Sequence, residues 1–180
     1  MIDRAGLIAL VEGFSDPAAD KSRELVLMLL RCSDAPFSRR QHAPGHITAT
    51  ACVAHPSDEA VLLIHHRRLD RWLLPGGHVE AEDAEAFATA RREAEEETGV
   101  VLTADPPRLV GIDVHGIPSN GKEPYHLHHD LIVAFRAGPG EIKVTEETRA
   151  TAWARAEEFD RYGLPDSIRR AACNALTRAR

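Results

Sequence analysis

The sequence lacks a paired cysteine pattern and an excess of positive charge. Its three cysteines, Cys32, Cys52 and Cys173, are odd in number and form no C-x-x-C pair, which argues against a disulfide framework or a zinc site. Each has apolar neighbours, so we expect buried free thiols. The formal net charge is −6, and an acidic chain gains nothing from counterion release, so we expect no bulk binding to nucleic acid.

A long apolar run is also missing. The longest, Leu25 to Leu30, is far too short to span a bilayer. Asp3, Arg4 and Glu12 interrupt the N-terminal segment, which therefore does not have the pattern of a signal peptide. We expect a cytoplasmic protein with no membrane partner.

The 180 residues suffice for one domain with a full core, and 43% apolar with 28% charged residues is typical of a globular protein. Residues 1–44 are predicted to form a helical N-terminal extension, with helices at 2–12 and 21–31. The run Leu25 to Leu30 is apolar on every face, which indicates a helix buried on more than one side. Its partner is either the rest of the domain or a second subunit, and we predict a homodimer.

From His46 the apolar residues recur with a period of two, which predicts strands within a second region, residues 45–180. Helices are predicted at residues 84–98, ending at Gly99, and at 167–180, with Asp166 or Ser167 as the cap. Interspersed strands and helices predict an α/β fold, a sheet covered by helices. The predicted strands are 46–53, 60–66, 108–117, 125–136 and 151–154.

Three glutamates share one face of the helix predicted at residues 84–98. Glu93 and Glu97 are one turn apart and Glu96 is three residues from Glu93, so the carboxylates fall within about 100° of each other. Beside them runs an apolar stripe of Ala86, Phe87, Ala90 and Ala94. The simplest interpretation is a solvated acidic face. Like charges at these spacings destabilise a helix, however, and a hard divalent cation such as Mg2+, which prefers oxygen ligands, gives a reason for them.

The segment around these glutamates resembles the Nudix box. That family's pattern is Gly, five residues, Glu, seven residues, then Arg-Glu-apolar-x-Glu-Glu-x-Gly-apolar. Here Gly76-Gly77 is followed by Arg92-Glu93-Ala94-Glu95-Glu96-Glu97-Thr98-Gly99-Val100. The loop is one residue longer than the pattern, and Asp83 stands near the place of its first Glu. By resemblance Asp83 would pair with Arg92, and its position near the helix start also suits a cap.

The resemblance implies a Nudix-type α/β/α sandwich with a mixed central sheet. It also implies a Mg2+-dependent hydrolase, with Mn2+ as an alternative cation, that cleaves the diphosphate linkage of a nucleoside diphosphate joined to another group. The substrate would be a small molecule. By resemblance the metal ligands are Glu93, Glu96, Glu97 and the carbonyl of Gly76 or Gly77, while Arg92 orients the carboxylates.

Two further segments supply candidates for the site. On the strand at 125–136, His126, His128 and Asp130 share one face, and His129 lies on the opposite, apolar face as a core histidine. Glu146 and Glu147 precede the last strand, where Nudix enzymes often supply an extra glutamate. For the general base we rank Glu96 first, Glu147 second and His128 third. The basic stretch at residues 65–68 would meet distal phosphates or form a strand-end turn, and Trp72 is expected in the core.

Two other functions stay open at this point. A non-catalytic ligand-sensing or binding module of the same family would usually lack box carboxylates, and this chain keeps Glu93, Glu96 and Glu97. An enzyme resembling isopentenyl-diphosphate isomerase would depend on a catalytic cysteine. Cys52 is the only candidate near the centre of the predicted sheet.

Overall fold

The computed structural model describes residues 2–177 and contains four α-helices and seven strands in that range. The helices are α1 (Arg4–Gly13), α2 (Asp20–Cys32), α3 (Ala86–Thr98) and α4 (Asp166–Thr177). The strands are β1 (Gly45–Ala54), β2 (Ala60–His66), β3 (Arg71–Leu73), β4 (Gly76–His78), β5 (Arg108–Ile117), β6 (His126–Arg136) and β7 (Thr148–Arg155). Short 3-10 helices at Pro17–Ala19 and Ala156–Glu158 complete the described part.

The strands form one mixed sheet in the order β3-β2-β1-β6-β5. The long central pair, β1 and β6, is parallel, and the other pairs are antiparallel. β1 meets β2 at a single register position, Ala54 opposite Val61, and then diverges from it. β4 pairs with the edge of β1 that this divergence leaves open, and β7 pairs along the length of β2.

Helices cover both faces of the sheet. On one face, α3 packs its alanines Ala90 and Ala94 against the alternate β1 residues Ala49, Ala51 and Val53. On the other face, α4 contributes three buried alanines to the core around Cys52 and Ile132. Small side chains allow close approach of helix and sheet. The structure is the predicted α/β/α sandwich.

The N-terminal helices pack on the same face as α3. Leu7, Val11, Leu29 and Leu30 join the buried cluster that includes Ile47 of β1. The run Leu25 to Leu30 was predicted to form a helix buried on more than one side. Four of its six residues are buried, whereas Leu25 is 36% exposed and Met28 is 48% exposed. None of the helices within residues 2–177 has the length and apolarity that crossing a membrane requires.

Several element boundaries differ from the prediction. β7 has eight residues instead of four, and β6 begins at His126. β4 was not predicted, because a Gly-Gly-His strand has no alternation and is held by backbone pairing with β1. The C-terminal helix begins at Asp166, and its predicted last residues, 178–180, lie outside the described part.

The cysteine prediction is correct for one residue only. Cys52 is fully buried, as expected. Cys32 and Cys173 are exposed, because each lies on the outer side of an amphipathic helix. All three thiols are free.

Candidate active site

The site is built where β4 lies between β1 and α3. Gly77 pairs with Ala49, so its α-carbon faces α3, and a Cβ there would lie 2.4 Å from Oε1 of Glu93. A Cβ on Gly76 would lie 2.8 Å from the carbonyl oxygen of Ala49. Real Cβ atoms do not approach this closely. At Gly76 the neighbour is backbone, so this position requires glycine for space, whereas a Cβ on Gly77 would displace the Glu93 carboxylate. The two glycines therefore bring the backbone of β4 directly against the carboxylates of α3.

Glu97 is the most buried of the three box glutamates, with 4% of its surface exposed. Its Oε2 accepts a hydrogen bond from the backbone N–H of Gly76 at 3.0 Å. Burial raises the pKa of Glu97 to about 8, against the opposing effect of that hydrogen bond. Glu93 is partly buried, and burial raises its pKa too, although the Arg92 guanidinium opposes this. Burial thus makes both carboxylates harder to ionise, and Arg92 is the positive group that partly offsets this at Glu93.

Arg92 links the loop to the helix through Asp83. Its guanidinium donates to both Asp83 oxygens, Nε to Oδ1 at 3.2 Å and Nη2 to Oδ2 at 3.1 Å. Asp83 also accepts from the Glu80 N–H at 2.9 Å and the Thr89 hydroxyl at 2.8 Å. Burial alone would raise the pKa of Asp83, but these hydrogen bonds outweigh it and lower the pKa. The pairing expected from the resemblance is present across the longer loop.

The capping role expected of Asp83 is wrong. Helix α3 begins at Ala86 after Glu85, which makes no side-chain capping bond. The backbone N–H that Asp83 accepts is that of Glu80 in the loop, and its bond to α3 comes from the Thr89 hydroxyl. The extra loop residue moves Asp83 away from the helix terminus. The C-terminus of α3 is as predicted, because Gly99 adopts a left-handed conformation with φ of 64°.

The other side of the Arg92 guanidinium contacts the box glutamates. Its Nη1 lies 2.9 Å from Oε1 of Glu93 and 3.1 Å from Oε2 of Glu96, and its Nη2 donates to the carbonyl of His78 at 3.0 Å. The Glu96 side chain is 60% exposed. Arg92 therefore fixes the direction of Glu93, while Glu96 keeps a solvent-facing oxygen.

A loop before β7 closes the site. The Thr145 hydroxyl donates to the carbonyl of Glu97 at 3.2 Å. In the turn after β2, Arg67 donates to the carbonyls of Glu146 at 2.9 Å and Thr148 at 3.1 Å. These bonds hold the loop over the end of α3. The cavity between this loop and α3 has a volume of about 250 Å³. It is lined by Glu93, Glu96, Glu97, Thr145, Glu146 and Glu147.

His66, at the end of β2, joins this group. It offers a nitrogen within 4.8 Å of carboxylate oxygens of Glu97 and Glu147. Its Nδ1 accepts the backbone N–H groups of Arg68 at 3.1 Å and Leu69 at 3.3 Å. An accepting Nδ1 fixes the neutral tautomer with the proton on Nε2, so His66 is a donor toward an acidic neighbour. Burial and the nearby Arg68 lower its pKa, which favours this neutral form.

The structure thus brings together Glu93, Glu96, Glu97 and Glu147 around one cavity, with Gly77 beneath Glu93. His128 is not among the residues that line it. Sequence analysis missed Thr145, and it treated Arg67 and His66 as phosphate contacts or a turn. The alternation along β2, which places His66 on the same side of the strand as Ile64, could have pointed to His66. Nothing in the sequence pointed to the Arg67 bonds.

The neighbouring histidines of β6 are buried or half-buried. His129 is fully buried on the apolar face, as predicted. Asp130 lies on the opposite face, is 4% exposed and accepts the Thr48 hydroxyl at 2.9 Å. Trp72 packs at the edge of the core with its ring against Tyr162, as predicted.

The donor set fits a hard divalent cation. Carboxylates and a backbone carbonyl are the ligands that Mg2+ prefers. The raised pKa of Glu97 shows that ionising this carboxyl is unfavourable in the protein alone, and a bound cation would reverse the effect. Glu93, Glu96 and Glu97, with a carbonyl of β4, are the groups that would hold it.

The fold and the site define a class: an α/β/α sandwich whose sheet carries a carboxylate-lined cavity at one helix. A family model described as the NUDIX domain matches residues 45–173. The chain therefore belongs to the Nudix family, and it is an enzyme of the pyrophosphohydrolase type.

Solved structures show the same fold. A NUDIX-family hydrolase from Clostridium perfringens has 22% identity and a TM-score of 0.57, over 75% of this chain and 98% of that one. A MutT protein from Bacillus halodurans has 25% identity and a TM-score of 0.51, over 72% and 81%. An ADP-ribose pyrophosphatase from Streptococcus suis has 19% identity and a TM-score of 0.52, over 73% and 91%. No curated protein matches the sequence.

Proposed function

We propose that the chain is a Mg2+-dependent hydrolase, with Mn2+ as an alternative cation, that cleaves the diphosphate linkage of a nucleoside diphosphate joined to another group. The observation that carries the proposal is the buried Glu97 carboxylate beside Glu93, at a cavity that the Glu147 loop closes. The Streptococcus suis neighbour is named an ADP-ribose pyrophosphatase, which is in keeping with this substrate class.

In this proposal each residue of the site has a separate task. When bound, Mg2+ supplies a Lewis acid to the diphosphate and makes an attacking water more acidic. Glu93, Glu96 and Glu97 hold the cation, together with the carbonyl of Gly77 or its neighbour Gly76. Arg92 and Asp83 keep these groups in position through the hydrogen bonds described above. Preorganised carboxylates need no rearrangement when the substrate binds.

The proton of the attacking water goes to a base, and we keep the order Glu96, Glu147, His128. Glu96 has a solvent-facing oxygen at the cavity, and Glu147 lies at the cavity opposite α3. His128 stays third, because its side chain lies on the face of the sheet opposite α3 and does not line the cavity. A pH–rate profile of wild type beside Glu96→Gln, Glu147→Gln and His128→Asn tests this order. The base should show the largest fall in kcat with cation affinity kept and should lose the acidic limb. If Glu96→Gln instead loses cation binding, Glu96 is a ligand.

A panel of nucleoside diphosphate-linked compounds with Mg2+ tests the function. We expect one compound to give two monophosphate-containing products and Glu97→Gln to abolish turnover. Glu95→Gln is the matched control, because Glu95 is on the same helix but pairs outward with Arg91. Mg2+ binding without product from any compound would favour the non-catalytic module and contradict the proposal.

The isomerase-like alternative is weaker on structural grounds. Its catalytic cysteine would have to be Cys52, which is fully buried in the core between the sheet and α4. Burial raises the pKa of this thiol to about 12, so the reactive thiolate is not formed at neutral pH. The homodimer and the cytoplasmic location stay predictions from the sequence.

A further inference from the structure

A cluster of histidines lies on the face of the sheet opposite α3. In β4, Gly77 faces Glu93, and the next residue, His78, pairs with Thr48 and therefore points to the other face. In the register of β1 and β6, His46 is opposite His128, so their side chains share that same face. The rings in contact there are His42, His46, His78, His115, His126 and His128.

Three of these rings form a compact triangle. The ring centroids of His46, His126 and His128 are separated by 5.0, 5.2 and 5.3 Å. Each ring offers one nitrogen, and the three nitrogens lie within 4.8 Å of one another. His46 and His126 are 1% and 3% exposed, and His128 is half-buried. The triangle is therefore mostly withdrawn from solvent.

Backbone carbonyls fix the tautomers of the two buried rings. Nδ1 of His46 is 3.1 Å from the carbonyl oxygen of Gln41, and Nδ1 of His126 is 2.9 Å from that of Pro124. A carbonyl only accepts, so both Nδ1 atoms donate, and Nε2 of each neutral ring carries the lone pair. A histidine that binds a metal through Nε2 has this arrangement, with its other nitrogen oriented by a carbonyl.

One of these lone pairs has no partner. Nε2 of His46 is buried, and within residues 2–177 no hydrogen-bonding group lies in reach of it. Buried polar atoms normally have a partner, so this nitrogen indicates a ligand that the protein chain does not supply. Burial and the surrounding histidines lower the pKa of His128 to about 2, and burial lowers the pKa of His46, which favours the neutral form of these two rings.

We propose that His46, His126 and His128 bind a divalent transition-metal ion of the Zn2+ class, at a site separate from the carboxylate cavity. Imidazole nitrogens suit Zn2+ and are poor ligands for Mg2+. In a tetrahedral site with Zn–N of about 2.0–2.1 Å, the donor atoms lie about 3.3 Å apart. The three nitrogens already lie within 4.8 Å of one another, and a bound ion would draw them to this separation.

Three protein ligands leave a fourth position, which water or an anionic group would fill. Asp130, with a buried carboxyl, lies two residues from His128 on the same face. The cysteine pattern argued against a zinc site held by thiolates, and the ligands proposed here are histidines. The three ligands come from two strands far apart in the sequence, His46 from β1 and His126 and His128 from β6.

Zinc stoichiometry of the untagged, metal-stripped chain tests the proposal. The Glu97→Gln background disrupts the group of His66, Glu97 and Glu147, which is the other such group of three possible metal ligands within residues 2–177. We expect about one tightly bound Zn2+ per chain in this background. Adding His128→Asn or His126→Asn should weaken binding by at least about a hundredfold, more than the loss of a group that only orients a ligand. Co2+ in the same site should show the visible absorption of a tetrahedral nitrogen-ligated ion.

His55→Asn is the matched control, because His55 lies outside the cluster and its Nδ1 accepts turn N–H groups, which an Asn side chain also does. Circular dichroism checks that each variant is folded. The proposal is overturned if the Glu97→Gln chain binds no Zn2+ at micromolar concentration. It is equally overturned if folded His126→Asn and His128→Asn variants bind Zn2+ as tightly as the control. Because the readout is binding in a variant expected to lack turnover, failure here is separate from failure of the proposed hydrolase.

Discussion

Glu97 should make the metal-free protein lose stability as the pH rises. Its pKa is about 8 in the folded chain against an ordinary value of 4.5. For a carboxyl with a raised folded pKa, the native state is most stable below the unfolded value. Stability is then lost as pH rises between the two values, because the unfolded chain releases the proton first. Each pKa unit corresponds to about 1.4 kcal/mol, so the loss between about pH 6 and pH 8 is about 2 kcal/mol.

Thermal unfolding of metal-stripped wild type and Glu97→Gln across this range measures the effect. A loss of about 2 kcal/mol lowers Tm by about 4–8 °C in a chain of this size. Glu97→Gln keeps an oxygen that accepts the Gly76 N–H but has no proton to lose, so its curve should be flatter by this amount. Adding Mg2+ at the higher pH should raise the Tm of wild type only.

The comparison with Glu97→Gln isolates one group, because all other titrating residues are common to both proteins. Glu95→Gln, on the exposed side of α3, should follow the wild-type curve. Parallel curves for wild type and Glu97→Gln would refute the reasoning. They would mean that Glu97 ionises in the folded chain as easily as in the unfolded one.

Three further predictions follow from the site and the fold. Glu93→Gln should lower turnover by several orders of magnitude with the fold intact, measured by kcat and circular dichroism, and near-full activity would show that the site is assigned wrongly. Asp83→Ala should lower the free energy of unfolding by about 2–4 kcal/mol in urea titrations. It removes the buried carboxylate partner of Arg92 and leaves the Thr89 hydroxyl unpaired. An unchanged urea midpoint would contradict this prediction. Sedimentation should show a dimer that Met28→Glu dissociates, because this exposed side chain lies on α2; a wild-type monomer at micromolar concentration would remove the dimer.

The glutamate helix was predictable because its signals are local. The spacing of Glu93, Glu96 and Glu97 follows from the helical repeat alone, and Gly99 ends α3 where a left-handed residue is needed. The shared face of Ala49, Ala51 and Val53 in β1 follows from the strand period in the same way. These features need no knowledge of what the helix or strand packs against.

Asp83 illustrates a partly local feature. The sequence predicted its pairing with Arg92 through the box pattern, and the structure contains that pair. The cap was predicted wrongly, because the start of α3 depends on how the longer loop crosses from β4. The path of a loop depends on the secondary-structure elements at both of its ends, and the number of residues in the loop does not define it.

Only the tertiary structure assembled the rest of the site. The sequence by itself determined the α/β class, the carboxylate face of α3 and the glycines that it requires. The divergence of β1 from β2, the loop carrying Glu147 and the meeting of His46 with His126 and His128 were decided by strand pairing between segments far apart in the chain. Periodicity reports which face a residue occupies, but it does not report which other segment lies beside that face, and a binding site depends on both.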